Sequence, residues 1–194
     1  MPFFDNEQLG RLGLPHDITE EPAEVAKKWA ELHKEADRMV LKRFPMLASP
    51  PPFLEKPVTT TPYRLYNGIG PLEDRSVAFV GHIYLLNMFR AAEVQAIWAA
   101  AFLDGNVSLP SLEKMQEEVA FRNAFLSRRF PTYGRGGNYY HFDLIGYSDK
   151  VLGELGLYRK SKGWWKDLTE SFMPADLEPV KKDYLEKYAD SKDA

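Results

Sequence analysis

Two stretches near the middle of the chain are its most continuous apolar segments. The first, 77–80, is followed by Gly81, a pattern typical of a strand covered on both faces. The second, 89–103, is apolar almost all the way round a helix, which predicts a helix buried on most sides. Gly105 follows, well placed to end this helix in the left-handed conformation. The pattern predicts a strand, a turn and a buried helix over 75–104, around which the chain is organised.

Four further helices are predicted, two of them from apolar residues at helical spacing. In the first, Trp29 and Ala36 fall on one face and charged residues mostly on the other, while Thr19 and Pro22 suit the start of a helix. In the second, Ser111 is placed to cap the first turn, and two arginines suit the negative C-terminal end. Helices are therefore predicted over 19–43, 112–130, 148–155 and 178–189.

The remaining segments predict loops and one hairpin. Residues 1–18 are broken by proline and glycine, which predicts a loop, and 45–62 are rich in proline, which predicts an extended connection. Residues 63–69 alternate and are rich in aromatic side chains, as in a strand. A turn over 70–74 would return the chain into the central strand. These features predict a hairpin over 63–80.

Length and composition fit one globular domain, and the elements predicted above are those of a helix-rich α/β fold with few strands. The chain has 194 residues, 44% hydrophobic and 27% charged, values typical of a globular protein. A formal net charge of −3 gives no reason to expect nucleic acid or a membrane surface as a partner. The absence of cysteine excludes disulfides, thiol catalysis and zinc–thiolate sites. With no secretory signal at the N-terminus, these features predict a cytoplasmic protein.

Few residues carry the signature of a catalytic site. The four histidines lie far apart and lack metal-ligand spacing. The segment 134–137 (Gly-Arg-Gly-Gly) is interpreted as a flexible turn rather than a phosphate loop, because no clear strand precedes it and its spacing differs from G-x-G-x-x-G. His82 differs from the other histidines because it directly follows Gly81, and open α/β sheets place ligands where a strand ends. A contact with a ligand and simple packing are equally good explanations for a histidine at position 82.

Two polar residues, Glu93 and Gln95, interrupt the apolar helix over 89–103. Buried polar groups need hydrogen-bond partners. Glu93 also lies in the first turns, where the helix dipole favours a carboxylate. The simpler interpretation is that local hydrogen bonds tie the helix to the loop before it, and the alternative is a functional contact.

Several motifs occur in the order found in flavin-containing monooxygenases. The family has an apolar strand ending in F-[IV]-G, then E-x-Q-A-x-W on a helix, then L-P-S-x-x-x-M and a later Y-x-D, and it has P-F-[LF] after its A-T-G-[YF] motif. The corresponding residues here are Phe79, Val80, Gly81, Glu93, Gln95, Ala96, Trp98, Leu109, Pro110, Ser111, Met115, Tyr147, Asp149 with Gly156, and Pro2, Phe3, Phe4. Over about 1–157 the chain resembles the C-terminal part of this dimethylaniline monooxygenase-like family.

The resemblance implies a fold, two cofactors and a set of contact residues. The fold would be the C-terminal portion of a flavoprotein with two dinucleotide-binding domains, and the cofactors would be FAD and NADPH. The helix after the central strand would point its positive end at the flavin. The implied cofactor-contact residues are Gly81, His82, Ile83, Leu86 and Asn87. In the family the cofactor performs the chemistry, in which NADPH reduces FAD and one oxygen of O₂ passes to a small organic molecule, so no catalytic side chain is expected.

The chain departs from the family in one large respect. Family members carry one G-x-G-x-x-G for FAD and a second for NADPH, and neither occurs in this sequence. The expected organisation is a part of an FAD domain over 1–157 and a partly helical extension over 158–194. One hypothesis is a monooxygenase that pairs with a chain supplying the FAD-binding half. Two others stay open: a truncated, non-catalytic homologue that acts in assembly, including as a homo-oligomer, and an unrelated helical domain.

Overall fold

The computed structural model describes residues 3–49, 57–141, 143–157 and 177–188. These ranges form a helix-rich α/β fold, as predicted, with two short strands. The helices are α1 (Asn6–Arg11), α2 (Ala23–Arg43), α3 (Met88–Leu103), α4 (Leu112–Arg129), α5 (Leu144–Gly153) and α6 (Glu178–Tyr188). The strands are β1 (Tyr84–Leu85) and β2 (Tyr139–His141). Turns of 3₁₀ helix are Ile18–Glu20, Pro45–Ala48 and Gly134–Gly136.

Helix α3 lies at the centre of the main hydrophobic core, which confirms the helix predicted over 89–103. Trp98 and Phe102 are fully buried, and their stacked rings have centroids 5.0 Å apart. The same core takes side chains from the sheet, α5 and α6. After the last turn, Gly105 adopts φ +77° and its N–H donates to the Phe102 carbonyl. This left-handed residue ends the helix as predicted.

Helices α2 and α4 pack along each other and form a second core. Its fully or largely buried residues are Trp29, Ala36, Val40, Val119, Ala120 and Ala124. Both nitrogens of one guanidinium edge of Arg128 bond to the Asp37 carboxylate across this interface. At the start of α4, the Ser111 hydroxyl accepts from the Lys114 N–H at 3.4 Å. The predicted helix over 112–130 and its serine cap are confirmed.

Strands β1 and β2 pair in parallel and precede α3 and α5 in the chain. The Tyr84 N–H donates to the Asn138 carbonyl at 2.7 Å, and the Leu86 N–H donates to the His141 carbonyl at 3.2 Å. The sequence analysis missed both strands because two or three residues are too few for an alternating pattern to stand out. Their pairing holds the turn before α3 against the 134–138 segment.

The predicted strand over 77–80 is wrong, and with it the strand part of the 75–104 unit. The Phe79 N–H donates to the Ile69 carbonyl at 2.9 Å, but no described segment runs alongside to complete a ladder. Val80 is 42% exposed, so the run is not covered on both faces. An apolar run forms a strand only when a neighbouring segment satisfies its backbone hydrogen bonds. Here the run is an irregular segment leading into the turn before α3.

The predicted hairpin over 63–80 is instead a tight local turn. Tyr66 and Gly70 exchange two backbone hydrogen bonds of 2.7 and 3.1 Å. Between them, Asn67 and Gly68 adopt positive φ values of +53° and +67°. Asparagine and glycine are the residues that tolerate this conformation best. The chain therefore reverses at 67–69 rather than over the predicted turn at 70–74.

The predicted loop over 1–18 contains helix α1. Its start is a capping box, in which the Asp5 carboxylate accepts from the Gln8 N–H at 2.8 Å and the Gln8 side chain accepts from the Asp5 N–H at 3.1 Å. These reciprocal bonds satisfy N–H groups that a helix start otherwise leaves free. The spacing Asp5-x-x-Gln8 is the sequence signal that the prediction overlooked.

Two further helix starts differ from the predictions. Asp17 caps a separate 3₁₀ turn through the Thr19 N–H at 2.8 Å, so α2 begins only at Ala23. Helix α5 begins at Leu144 instead of 148. Helix α6 lies where the final helix is predicted, and the division at 157 stays a prediction because 158–176 are outside the described residues. Within the described ranges, no helix combines the length and apolarity needed to cross a bilayer.

Candidate functional site

The turn 81–87 joins the irregular segment to α3 and holds the five predicted cofactor contacts. Gly81 adopts φ +84°, with no atom within 4 Å of the place a Cβ would occupy. Its N–H donates to the Gln95 side-chain oxygen at 2.8 Å. Gln95 is fully buried. This bond confirms for Gln95 the interpretation that a polar residue of the apolar helix ties it to the preceding loop. Glu93 instead pairs with Lys181 of α6 at 3.2 Å.

His82 packs inward from this turn. Its ring centroid lies 4.6 Å from that of Tyr63, and neither ring nitrogen has a hydrogen-bond partner among the described residues. The Asn138 amide donates to the His82 carbonyl at 3.0 Å, which fixes the backbone. Burial, with a smaller contribution from the positive charge of Arg122, lowers the pKa of His82 to about 4. The imidazole is therefore neutral at pH 7.

His82 gives the protein a predicted pH dependence. Because its pKa falls from 6.5 to about 4 on folding, the unfolded chain binds a proton more readily in that interval, and stability is lost as pH falls. Between pH 7 and pH 5 we expect a loss of about 1–2 kcal/mol. Urea unfolding at both pH values measures it. In His82→Gln the loss should shrink by that amount, and an unchanged loss would contradict the assignment.

The other three predicted contacts have different positions. Ile83 is 1% exposed and belongs to the core. Asn87 caps α3, since its side-chain oxygen accepts from the Arg90 N–H at 3.2 Å. Leu86 is 65% exposed. The structure thus brings Gly81, His82 and Leu86 together on one turn, and cofactor contact by any of the five stays a prediction.

A chain of hydrogen bonds links the turn to α5 and to the 67–69 turn. The Gln95 amide nitrogen donates to the Tyr147 hydroxyl at 2.9 Å, and that hydroxyl donates to the Asn67 carbonyl at 2.9 Å. Burial raises the pKa of Tyr147 well above its usual value, so the phenol keeps the proton that it donates. We call Gly81, Gln95, Tyr147 and Asn67 the Gln95 network. Three of its four members, Gly81, Gln95 and Tyr147, belong to the motifs of the family pattern.

A second cluster surrounds Glu154, which the sequence analysis did not single out. Its carboxylate accepts from the Tyr66 hydroxyl at 2.9 Å, the Asn67 amide at 2.7 Å and the Trp98 indole N–H at 2.9 Å. Lys150 lies 3.0 Å away and balances the charge. The Asn-Gly dipeptide at 67–68 is a sequence signal for the turn. No local pattern indicates that a glutamate 87 positions further along the chain accepts a hydrogen bond from this turn.

The surface around the turn is unusually apolar. Five large apolar side chains between 80 and 89 are exposed, and we call them the apolar rim: Val80, Tyr84, Leu86, Met88 and Phe89. Phe89 is 88% exposed although it belongs to helix α3, nine of whose 16 residues are buried. Exposed apolar side chains in such density mark interaction surfaces more often than free surface.

The described residues fit one part of FAD. The open space beside Gly81 and the apolar rim suit the flavin ring, whereas the ring nitrogens of His82 are buried behind the turn. The pyrophosphate requires a glycine-rich turn of free N–H groups at a helix start. The sequence has no G-x-G-x-x-G, and the Gly81 N–H is already bonded to Gln95. In the described part of the chain, no three ligating side chains are grouped so that they could hold a metal ion.

Comparisons with known proteins place this geometry in context. No protein-family model matches the chain, and no solved structure matches it. An FAD-dependent monooxygenase of Pyrenophora dematioidea is 33% identical over 165 residues, covering 82% of this chain and 30% of that protein. FAD-dependent monooxygenase resA of Aspergillus sclerotiorum is 30% identical over 94% of this chain and 33% of its own length.

A plant relative gives a weaker match. Flavin-containing monooxygenase FMO GS-OX5 of Arabidopsis thaliana is 36% identical over 83 residues, which is 37% of this chain. The chain spans about a third of the length of the fungal relatives it matches. Over most of its length the chain is therefore similar to proteins named FAD-dependent monooxygenase, which supports a relationship to the flavin monooxygenase family.

Proposed function

We propose that this chain supplies the part of an FAD- and NADPH-dependent monooxygenase that packs against the flavin, and that the enzyme oxidises a small organic molecule. The observation that carries the proposal is the match to FAD-dependent monooxygenases over 82–94% of the chain. The Gln95 network supports it, because residues of the family motifs converge on Gly81. A bound flavin, reduced by NADPH, would supply the oxidising chemistry.

The residues of the turn would bind and orient the flavin ring rather than react. Gln95 holds the Gly81 backbone in place, which keeps an open approach beside the glycine. Leu86 and Phe89 would exclude water from the ring because both are large, apolar and exposed. His82 would add no positive charge, since its pKa of about 4 leaves it neutral at pH 7. Ile83 and Asn87 would contribute mainly by fixing the turn.

The apolar rim is the surface on which this chain would contact the rest of the enzyme. The two nucleotide-binding motifs, absent from these 194 residues, must be supplied by another segment of polypeptide, either in the same protein or in a second chain. The rim is the surface that such a segment would cover together with the flavin. Burial of a leucine or phenylalanine contributes about 1.5–3 kcal/mol, so five rim side chains could hold a substantial interface.

A chimera tests the proposal. In the Pyrenophora dematioidea protein, the matched third is replaced by this chain, and the purified product is analysed for bound flavin and for NADPH oxidation. We expect flavin to be retained, and Leu86→Asp to weaken its binding about tenfold or more, because the aspartate forfeits the burial of one leucine. Leu185→Asp is the matched control, since Leu185 is also 65% exposed but lies on α6, outside the rim.

Two results would count against the proposal. A chimera that unfolds cooperatively yet holds no flavin would show that this chain cannot complete the site. Equal effects of the two aspartate variants would show that the rim is not the interface. A flavin-free chain that still pairs with the intact relative through the rim would instead favour the non-catalytic assembly role.

A further inference from the structure

A second candidate site lies away from the flavin-facing turn. A cavity of about 510 Å³ opens between α1, the start of α2, the 64–73 segment and α4. This size is within the range of small-molecule pockets. None of residues 81–87 lines it, so what it binds can be argued and tested without reference to flavin.

The inner wall of the cavity consists of polar residues that form ion pairs and hydrogen bonds with one another. The Arg64 guanidinium pairs with the Glu21 carboxylate, and both side chains are more than nine-tenths buried. The same guanidinium lies 4.5 Å from the centre of the Trp29 ring. His16 bonds through Nδ1 to the Thr61 hydroxyl at 3.1 Å. These contacts make the wall rigid and leave its charges internally balanced.

One buried polar side chain on this wall has no such partner. Gln116 of α4 is 5% exposed and lines the cavity. Among the described residues, none hydrogen-bonds its side-chain amide. Its amide atoms are not among the fully buried ones, so they face the cavity, whereas the fully buried Gln95 has both of its polar atoms bonded. The Gln116 amide is therefore available to a molecule that enters the cavity.

The charges that line the cavity determine which kind of molecule it can bind. Four carboxylates face two guanidinium groups around the cavity: Glu7, Glu20, Glu21 and Glu73 against Arg11 and Arg64. Arg11 pairs at 3.0 Å with Asp74, a carboxylate outside the lining that balances its charge. The mouth is thus acidic, and an acidic mouth repels anions and attracts cations. Trp29, Val25 and Leu72 supply apolar surface for the rest of the molecule.

We propose that this cavity binds an organic amine, with the protonated nitrogen near the acidic mouth and the Gln116 carbonyl, and the apolar body against Trp29, Val25 and Leu72. Phosphorylated and carboxylated molecules are excluded by charge. The site is separate from the flavin-facing turn, so its ligand need not be the molecule that is oxidised.

Three indole compounds of similar size but different charge test the inference: tryptamine, tryptophol and indole-3-acetate. Each is titrated into the ¹⁵N-labelled full chain while the Gln116 side-chain amide and the Trp29 indole N–H are followed by NMR. We expect tryptamine to shift both signals and to bind at least about tenfold more tightly than indole-3-acetate, with tryptophol between them. Equal or tighter binding of the anion, or no shift with tryptamine, overturns the inference.

Two pairs of variants separate recognition from folding. Gln116→Leu keeps the volume and should weaken tryptamine binding about tenfold, because a hydrogen bond to a charged group is lost. Glu73→Gln should weaken it several-fold, whereas Glu117→Gln, an exposed neighbour on α4 outside the lining, should not. The Trp29 signal verifies the fold in each variant. If Gln116→Leu binds tryptamine with unchanged affinity, the amide does not contact the ligand and the proposal is overturned.

Discussion

Gly134→Ala is expected to destabilise the protein by about 3 kcal/mol or more. Gly134 is buried in the 3₁₀ turn after α4, and its N–H donates to the Phe130 carbonyl at 2.7 Å. A Cβ at this position would overlap the Leu126 carbonyl and come within 3.0 Å of the Ser127 nitrogen. Because these are backbone atoms of α4, no side-chain rotation relieves the overlap, and the turn must move away. Urea unfolding of the two proteins measures the difference.

The control for this substitution is Gly146→Ala. Gly146 lies in α5, and a Cβ there meets no atom within 4 Å. Alanine is the better helix former, so this variant should be unchanged or more stable by up to about 1 kcal/mol. If Gly134→Ala unfolds at the same urea concentration as the original protein, the close packing of the turn on α4 is contradicted. The 134–137 segment would then be the flexible turn that its glycines suggested.

Gln95→Leu is expected to cost about 2–4 kcal/mol. The substitution preserves the approximate volume but removes the acceptor for the Gly81 N–H and the donor to the Tyr147 hydroxyl. Loss of one partner leaves a buried polar group with its full desolvation penalty, about 1–3 kcal/mol for each group. Since the Tyr147 hydroxyl also donates to Asn67, the disturbance should reach the 67–69 turn. Chemical denaturation gives the stability, and the NMR signals of Gly81 and Asn67 report the local change.

The chain offers a matched control in its second buried glutamine. Gln116→Leu makes the same exchange at 5% exposure, but no described residue hydrogen-bonds that amide. Replacing it should leave stability nearly unchanged, because no hydrogen bond within the described residues is lost and the amide faces the cavity. A similar loss in the two variants would mean that side-chain shape, and not the Gln95 network, determines the cost.

The candidate site was only partly predictable. The Gly81–Asn87 turn could be located because it lies between an apolar run and a helix with a clear pattern, and Gln95 could be singled out as a polar residue in an apolar helix. Glu154 could not, because its three neutral donors come from the 66–67 turn and from α3. No local pattern encodes a contact across 87 positions.

The sequence by itself determined the three long helices and the C-terminal end of each, but not the start of α2. Helix α3, helix α4 with its Ser111 cap and the Gly105 stop follow from periodicity and local hydrogen bonding, which act over three or four residues. Only the tertiary structure decided that 77–80 is no strand and that the short strands β1 and β2 pair. It also decided that the His82 ring packs on Tyr63 with both of its nitrogens buried. Strand pairing and burial depend on which distant segments come together, and their energies are realised only in the packed chain.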